Sequence, residues 1–264
     1  MIENRIDRYP AWMRGAGRLG WLVIFAIAIG CAGGIPSIPN SPQGILERGD
    51  AYFARKMYFH SQGMYKAFLQ RYPGDDQSDY AQFKLAESLY NGKEYGLAAV
   101  EYHLMVNNYG YSEYVDDAYY KEALCFYHQG LKPRLDQSKR EDALERLERF
   151  VTVFPQSDLV PDAQEHIRLI HKKLAEKAFA NARFYDKNKR YRSAIIYYDK
   201  IIDKYPNNRY WPLALYFKGV ILLRRGENDE AIRLFSKVLN YPEEVGVKRD
   251  AKREMERLRK QINE

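Results

Sequence analysis

The sequence predicts an all-α fold: a solenoid of about five helix–turn–helix repeats with a C-terminal capping helix. Three observations predict it. Four segments superpose in register, AYFARKMYFHSQGMYKAFLQRYP, SLYNGKEYGLAAVEYHLMVNNYG, RFYDKNKRYRSAIIYYDKIIDKYP and VILLRRGENDEAIRLFSKVLNYP. A fifth, EALCFYHQ…REDALERLERFVTVFP, fits once the extra stretch GLKPRLDQSK between its helices is set aside. The second observation is tyrosine, 23 of 264 residues, whose apolar ring and polar tip suit surfaces dry at one end and wet at the other. The third is the scarcity of strand-like alternation, which leaves little from which to build a sheet.

The residue types of each repeat have physical reasons. A small side chain stands near the start of every second helix, at Ser61, Ala98, Ala143, Ala194 and Ala231, and lets two helices approach closely. Ala182 supplies the matching small position on a first helix. Pro73, Pro155, Pro206 and Pro242 close second helices, because proline cannot continue one, and Gly110 in the same place predicts a looser turn. One hairpin cannot bury its apolar face alone, so neighbours must stack into a continuous core. The pattern resembles the tetratricopeptide repeat. That resemblance implies a right-handed superhelix whose first helices line the inner, concave face.

The chain begins differently. Trp21 to Gly30, WLVIFAIAIG, is an apolar run of ten residues, half of the roughly 20 that a bilayer-spanning helix needs. Arg5, Arg8, Arg14 and Arg18 precede it and small residues follow, the layout of a secretory signal. Ala28-Ile29-Gly30-Cys31 resembles a bacterial lipobox. The resemblance implies cleavage between Gly30 and Cys31, a diacylglycerol on the Cys31 thiol and an acyl group on its new amine. It also implies outer-membrane sorting, since Ala32 rather than aspartate follows the cysteine. Two or three acyl chains anchor stably where one is marginal.

Residues 1–30 are therefore expected to be a lipoprotein signal peptide, and 31–43 the acylated cysteine and an extended tether set by Pro36, Pro39 and Pro42. Residues 44–158 make an N-terminal three-repeat half. Residues 159–264 make a C-terminal half: one long helix from Pro161 to about Lys187, two repeats and a cap helix from Lys248 to Ile262. The long helix shows apolar residues at Ile167, Ile170, Leu174 and Ala178.

Little in the chain points to catalysis. The net charge is +7, but the basic residues after Val247 alternate with Asp250, Glu254 and Glu256, as on a solvated helix, and no nucleic-acid partner is indicated. His60, His103, His128, His166 and His171 are scattered, and His166 and His171 stand about 140° apart around a helix, so they form no metal pair. Asp75-Asp76 and Asp116-Asp117 lie between helices, where aspartate caps a helix start. Cys125 sits on an apolar face as a small hydrophobe. The expectation is a non-enzyme with no cofactor beyond the acyl groups of Cys31.

What remains is surface. Repeat alignment puts Tyr80, Phe83, Glu87 and Tyr90 of the second repeat at inward positions, with Arg183, Lys187, Tyr216 and Arg224 of the last two. Aromatic anchors and charged pairs of this kind can hold a peptide or a partner domain.

Several elements together resemble the BamD family of outer-membrane lipoproteins, over nearly all of the mature chain. They are Cys31, the lead-in IPNSP, Arg71-Tyr72-Pro73-Gly74, AQFKLAESLYNGKEYGLAAVEY, the loop PRLDQSKREDAL and FANARFYDKNKRYRSAIIYYDKIIDKYP. The resemblance implies a periplasmic scaffold of the β-barrel assembly machinery, lipid-anchored to the outer membrane. Its C-terminal repeats would hold the POTRA domains of the barrel protein BamA, in company with other Bam lipoproteins. Its N-terminal half would receive C-terminal segments of unfolded outer membrane proteins. The alternative is another periplasmic repeat lipoprotein, serving pilus or secretin assembly or the coordination of cell-wall growth and division.

Cys31→Ser is expected to leave a folded solenoid that takes up no acyl label; continued acylation of that variant, followed by metabolic lipid labelling, would overturn the anchor assignment.

Overall fold

The computed structural model describes residues 38–130, 137–206, 208–242 and 245–263; Gly30, Cys31 and most of the insertion in the third repeat lie outside them. The described residues form eleven helices and no strand. They are α1 (Pro42–Ala54), α2 (Tyr58–Arg71), α3 (Ser78–Asn91), α4 (Tyr95–Asn108), α5 (Val115–Gln129) and α6 (Ser138–Val153). There follow α7 (Val160–Lys187), α8 (Tyr191–Lys204), α9 (Tyr210–Arg224), α10 (Asn228–Leu239) and α11 (Val247–Asn263). Each packs against the helix before and after it. The all-α repeat fold is therefore the one expected: five hairpins, α1/α2 to α9/α10, with α11 over the open end.

The five hairpins share one packing rule. In every second helix the small residue is buried, and so are the residues four and seven positions on. These sets are Ser61-Tyr65-Phe68, Ala98-Tyr102-Met105, Ala143-Leu147-Phe150, Ala194-Tyr198-Ile201 and Ala231-Phe235-Val238. Facing them, the first helices offer Gly49, Ala86, Ala123, Ala182 and Gly219, all buried. The approach is closest in the first and last repeats. There a Cβ on Gly49 would stand 2.8 Å from the Tyr65 ring, and one on Gly219 2.7 Å from the Phe235 ring. Ser61 differs chemically from its alanine counterparts, and its hydroxyl donates to that of Ser88 at 2.8 Å, which donates in turn to the Lys84 carbonyl at 2.7 Å.

Four of the five second helices end on an aromatic cap, and the fifth ends on Asn240. Tyr72, Tyr109, Phe154 and Tyr205 each donate the backbone N–H to the carbonyl four residues back. Gly110 makes no looser turn than the prolines, since Ser112 N–H reaches the Tyr109 carbonyl at 2.9 Å. The equivalent bonds after Pro73 and Pro155 measure 3.2 and 3.1 Å. Within the hairpins the turn residue is left-handed: Lys56 (φ 59), Lys93 (φ 64), Lys189 (φ 58) and Gly226 (φ 79). A side chain in this region costs about 1–2 kcal/mol, and three of these four turns use lysine where the last uses glycine.

The predicted tether is shorter than expected at its C-terminal end. Pro42 is the first residue of α1, behind Ser41, whose Oγ accepts from Gly44 N–H at 3.1 Å. Proline's fixed φ suits a helix's first turn, where its missing N–H is not needed. Tyr72 donates its hydroxyl to the Asn40 carbonyl at 2.7 Å and so ties the lead-in to the end of α2. The core runs in three clusters: one from Ile45 to Cys125, one over the C-terminal repeat and Ala251 of α11, and one between them. The middle cluster extends from Tyr120 in α5 to Ile221 in α9 and takes in Ile170, Leu174 and Ala178 of α7.

Gly219→Ala should lower unfolding stability by about 1–3 kcal/mol, since the buried Phe235 ring has nowhere to move. Lys93→Gly should be neutral or stabilising by up to about 1 kcal/mol. Chemical denaturation of both variants checks the pair, and a stabilised Gly219→Ala would overturn the close-packing account.

Candidate interaction surface

First helices of neighbouring hairpins reach one another through their side chains, and these contacts define the inner face. Tyr80, Phe83, Glu87 and Tyr90 recur every three or four residues along α3, so they share one stripe, and all four are half-buried. Tyr80 donates its hydroxyl to Asp50 Oδ1 of α1 at 2.7 Å, and Tyr65 donates to the same oxygen at 2.6 Å. Phe83 stacks on Tyr114, which precedes α5, with centroids 4.9 Å apart and planes 13° apart. Glu87 accepts from the Tyr102 hydroxyl and pairs with Lys121 Nζ of α5 at 3.1 Å. Tyr90 shares a hydrogen bond with His128 Nε2 at 2.9 Å, and Tyr95 stacks on that imidazole at 4.7 Å and meets the Tyr90 ring edge-on at 5.4 Å. The structure thus brings the four predicted residues of the second repeat together.

The electrostatics hold this network in one protonation state. Burial, then the hydrogen bond to Asp50, raises the Tyr80 hydroxyl well above its ordinary value. Burial and the Glu87 charge do the same for Tyr102. These hydroxyls remain donors to carboxylates they cannot leave. Burial, with His166 nearby, lowers His128 and keeps the imidazole neutral against Tyr90. Asp117 is raised by burial and by Asp116, with Lys121 opposing.

The predicted residues of the C-terminal half do not form one group. Arg183 of α7 lies 3.9 Å from the Phe217 ring and donates Nη1 to Asp186 Oδ2 at 2.6 Å. Arg224 of α9 brings its Nη1 to 3.6 Å from the other oxygen of Asp186, a side chain only 11% exposed. Lys187 is exposed beside them. Tyr216 lies elsewhere: its ring meets Phe235 at 5.9 Å, and its hydroxyl feels Asp250 and Glu254 of the cap helix.

One relation explains why Glu87 and Arg183 sit where they do. Each follows the small residue of its first helix and stands opposite the large side chain four places past the second helix's small residue. Down the chain the pairs are Asp50/Tyr65, Glu87/Tyr102, Leu124/Leu147, Arg183/Tyr198 and Val220/Phe235. A buried tyrosine needs a partner for its hydroxyl, and where the hydroxyl is missing the opposing residue is apolar. Tyr198 is the exception. Its hydroxyl is the one buried side-chain polar atom without a hydrogen-bond partner among the described residues, and burial pushes it up to about 12.

Sequence reasoning missed Asp50, Lys84, Tyr114 and Lys121. Asp50 was findable, because it stands at Glu87's place one repeat earlier; Tyr114 and Lys121 act across repeats and left no local signal. Among the described residues no His, Cys, Asp or Glu cluster could hold a metal, and no helix is long and apolar enough to cross a membrane. Cys125 is buried, which pushes its thiol up to about 12 and leaves it unreactive.

A stack of helical hairpins with a half-buried, hydrogen-bonded inner face is a helical-repeat scaffold. The model of the YfiO family, described as outer membrane lipoprotein, matches residues 40–238, and the chain belongs to this family. Two relatives carry the name outer membrane protein assembly factor BamD. The protein from Rickettsia prowazekii is 27% identical over 197 residues, 75% of this chain and 78% of its own. The protein from Caulobacter vibrioides is 28% identical over 144 residues, 54% of this chain and 47% of its own, so the match spans just under half of that relative. The BamD family of the sequence resemblance is thereby the family of this chain, an assembly-factor family on a repeat scaffold and not an enzyme family. Among solved structures, a TPR repeats protein from Bacteroides fragilis is 15% identical over 77% of this chain and 89% of its own, with a TM-score of 0.49. A thermophilic TPR protein from Thermus thermophilus is 15% identical over 80% and 97%, with a TM-score of 0.38. The fold assignment rests on the helices and their packing rather than on these two likenesses.

Proposed function

We propose that this protein is an assembly factor for outer membrane proteins: a periplasmic scaffold, lipid-anchored through Cys31, that works with the barrel protein BamA and other Bam lipoproteins. The observation that carries the reading is the family match over residues 40–238, which spans both stretches of inner face described above. The physical properties of those stretches suit two different tasks. The N-terminal one is rich in aromatic rings whose polar tips are already satisfied, so it can take up an apolar, extended segment without stranding a buried donor. The C-terminal segments of unfolded outer membrane proteins are such ligands. The C-terminal stretch carries Arg183, Arg224 and Lys187 around the single carboxylate of Asp186, an excess of positive charge suited to a folded acidic surface such as a POTRA domain.

The two tasks should separate by mutation. Lys187→Glu with Arg224→Glu should cut recovery of BamA with tagged protein extracted from membranes, while crosslinking of a substrate C-terminal peptide persists. Phe83→Ala or Tyr90→Ala should reverse that pattern. Recovery of a secretin or a cell-wall synthase in place of BamA would overturn the proposal in favour of the alternative repeat-lipoprotein role.

A further inference from the structure

Over its first repeats the solenoid has two edges of different charge. One edge is made of the turns within hairpins, the other of the connections between them. The connections after α2 and α4, residues 72–79 and 109–117, carry six acids and no lysine or arginine. The turns of the first two hairpins carry Arg55, Lys56 and Lys93, all exposed and, among the described residues, without an ion pair. The acid beside them, Glu94, accepts from Gln62 Nε2 at 2.8 Å, a bond that holds the second turn against α2.

Folding does not account for these cations. Acids are favoured where a helix begins and bases where it ends, yet α2 and α4 start at the basic turns with no acid in their first turns. Lys56 and Lys93 are left-handed, a conformation in which glycine is relaxed and lysine is not. The same turns expose apolar side chains: Met57 is 38% exposed, Phe59 79% and Leu97 55%. Lysine and arginine around protruding Met, Phe and Leu suit the headgroup layer of a bilayer. The apolar groups sink toward the acyl chains, and the cations stay level with the phosphates.

Reach agrees with charge. The lead-in is held at the acidic edge, where Arg71 Nη1 donates to the Pro39 carbonyl at 3.3 Å and the Tyr72 hydroxyl to that of Asn40 at 2.7 Å. From Ile38 back to Cys31 is seven residues, about 25 Å when extended. The 14 residues of α2 span about 21 Å. A tether fixed to a bilayer at Cys31 can therefore run back along the first hairpin and let the turns meet the surface. It would equally let the acidic edge down, but an anionic surface repels that edge and attracts the other.

We propose that the turns of the first two hairpins form a docking edge for an anionic phospholipid bilayer. Met57, Phe59 and Leu97 enter the headgroup layer, and Arg55, Lys56 and Lys93 meet lipid phosphates. This goes beyond the scaffold reading and takes from it only the anchorage at Cys31.

The test uses the chain from Cys31 onward, coupled through the Cys31 thiol to a maleimide lipid, so that it does not depend on acylation in the cell. Cys125 is buried and does not compete. The tryptophan of that chain, Trp211, lies at the opposite edge, at the start of α9. The vesicles are phosphatidylcholine with phosphatidylglycerol and a lipid brominated near the headgroup end of its chains. Phe59→Trp should add fluorescence that the bromine quenches about twofold or more, while the parent, reporting Trp211, is unquenched. Quenching should fall to the parent's level in high salt, without phosphatidylglycerol, and when Arg55→Glu, Lys56→Glu and Lys93→Glu are added. Because those three side chains are exposed and unpaired, adding the changes should leave thermal unfolding unaltered. Absence of quenching in Phe59→Trp, quenching indifferent to salt and phosphatidylglycerol, or quenching of Trp211 in the parent overturns the docking edge. Each leaves the anchor standing, since acyl labelling of Cys31 tests that separately.

Discussion

The structure depends on how closely two helices can approach within each hairpin. Gly49, Ala86, Ala123, Ala182 and Gly219 on the first helices and Ser61, Ala98, Ala143, Ala194 and Ala231 on the second are all buried, and none has a side chain larger than serine. That closeness has a consequence for the next residue along each second helix's buried face. A tyrosine four positions on is driven fully inside, and its hydroxyl arrives against the first helix. A hydroxyl buried without an acceptor is costly, by about 1–3 kcal/mol. An acid must stand where the hydroxyl emerges, and so Asp50 and Glu87 lie on first helices. Those acids, required by packing, then recruit Tyr80 and Lys121. The polar pattern of the inner face is thus a product of the core, and Lys84 is conspicuous because the core has no use for its charge.

The degree to which this could be read in advance follows from the range of each interaction. Small residues and closing prolines act within one hairpin, so their spacing marked all five repeats. The long helix α7 showed in the recurrence of Ile167, Ile170, Leu174 and Ala178 and in Pro161 at its start, and it runs from Val160 to Lys187. The inner face was legible as a set of positions and not as a set of contacts. Which tyrosine meets which acid depends on the offset between successive first helices, a superhelical quantity that no local pattern carries. Tyr216 shows the limit: repeat alignment groups it with Arg224, yet it turns to the cap helix, which has no counterpart in the repeats. The left-handed lysines were hidden for a different reason. Glycine is the usual sign of positive φ, and Lys56, Lys93 and Lys189 carry no such sign.

The two ends of the inner face also differ in how their charges are neutralised, and the same rule accounts for it. In the first two repeats the hydroxyls of Tyr65, Tyr80 and Tyr102 each have a carboxylate, and the surplus charge is negative until Lys121 and Lys84 are counted. In the fourth repeat the position after Ala182 is Arg183, which lies against the Phe217 ring and donates to Asp186, and the Tyr198 hydroxyl beside it has no carboxylate to receive it. A single change of sign at one repeat position therefore converts an acid-lined face into an arginine-lined one. The hydrophobic cluster that joins α5 to α9 through α7 meets the N-terminal cluster at Tyr90 and Phe126, which pack against both. Two faces of opposite chemical character are then carried by one chain of stacked hairpins.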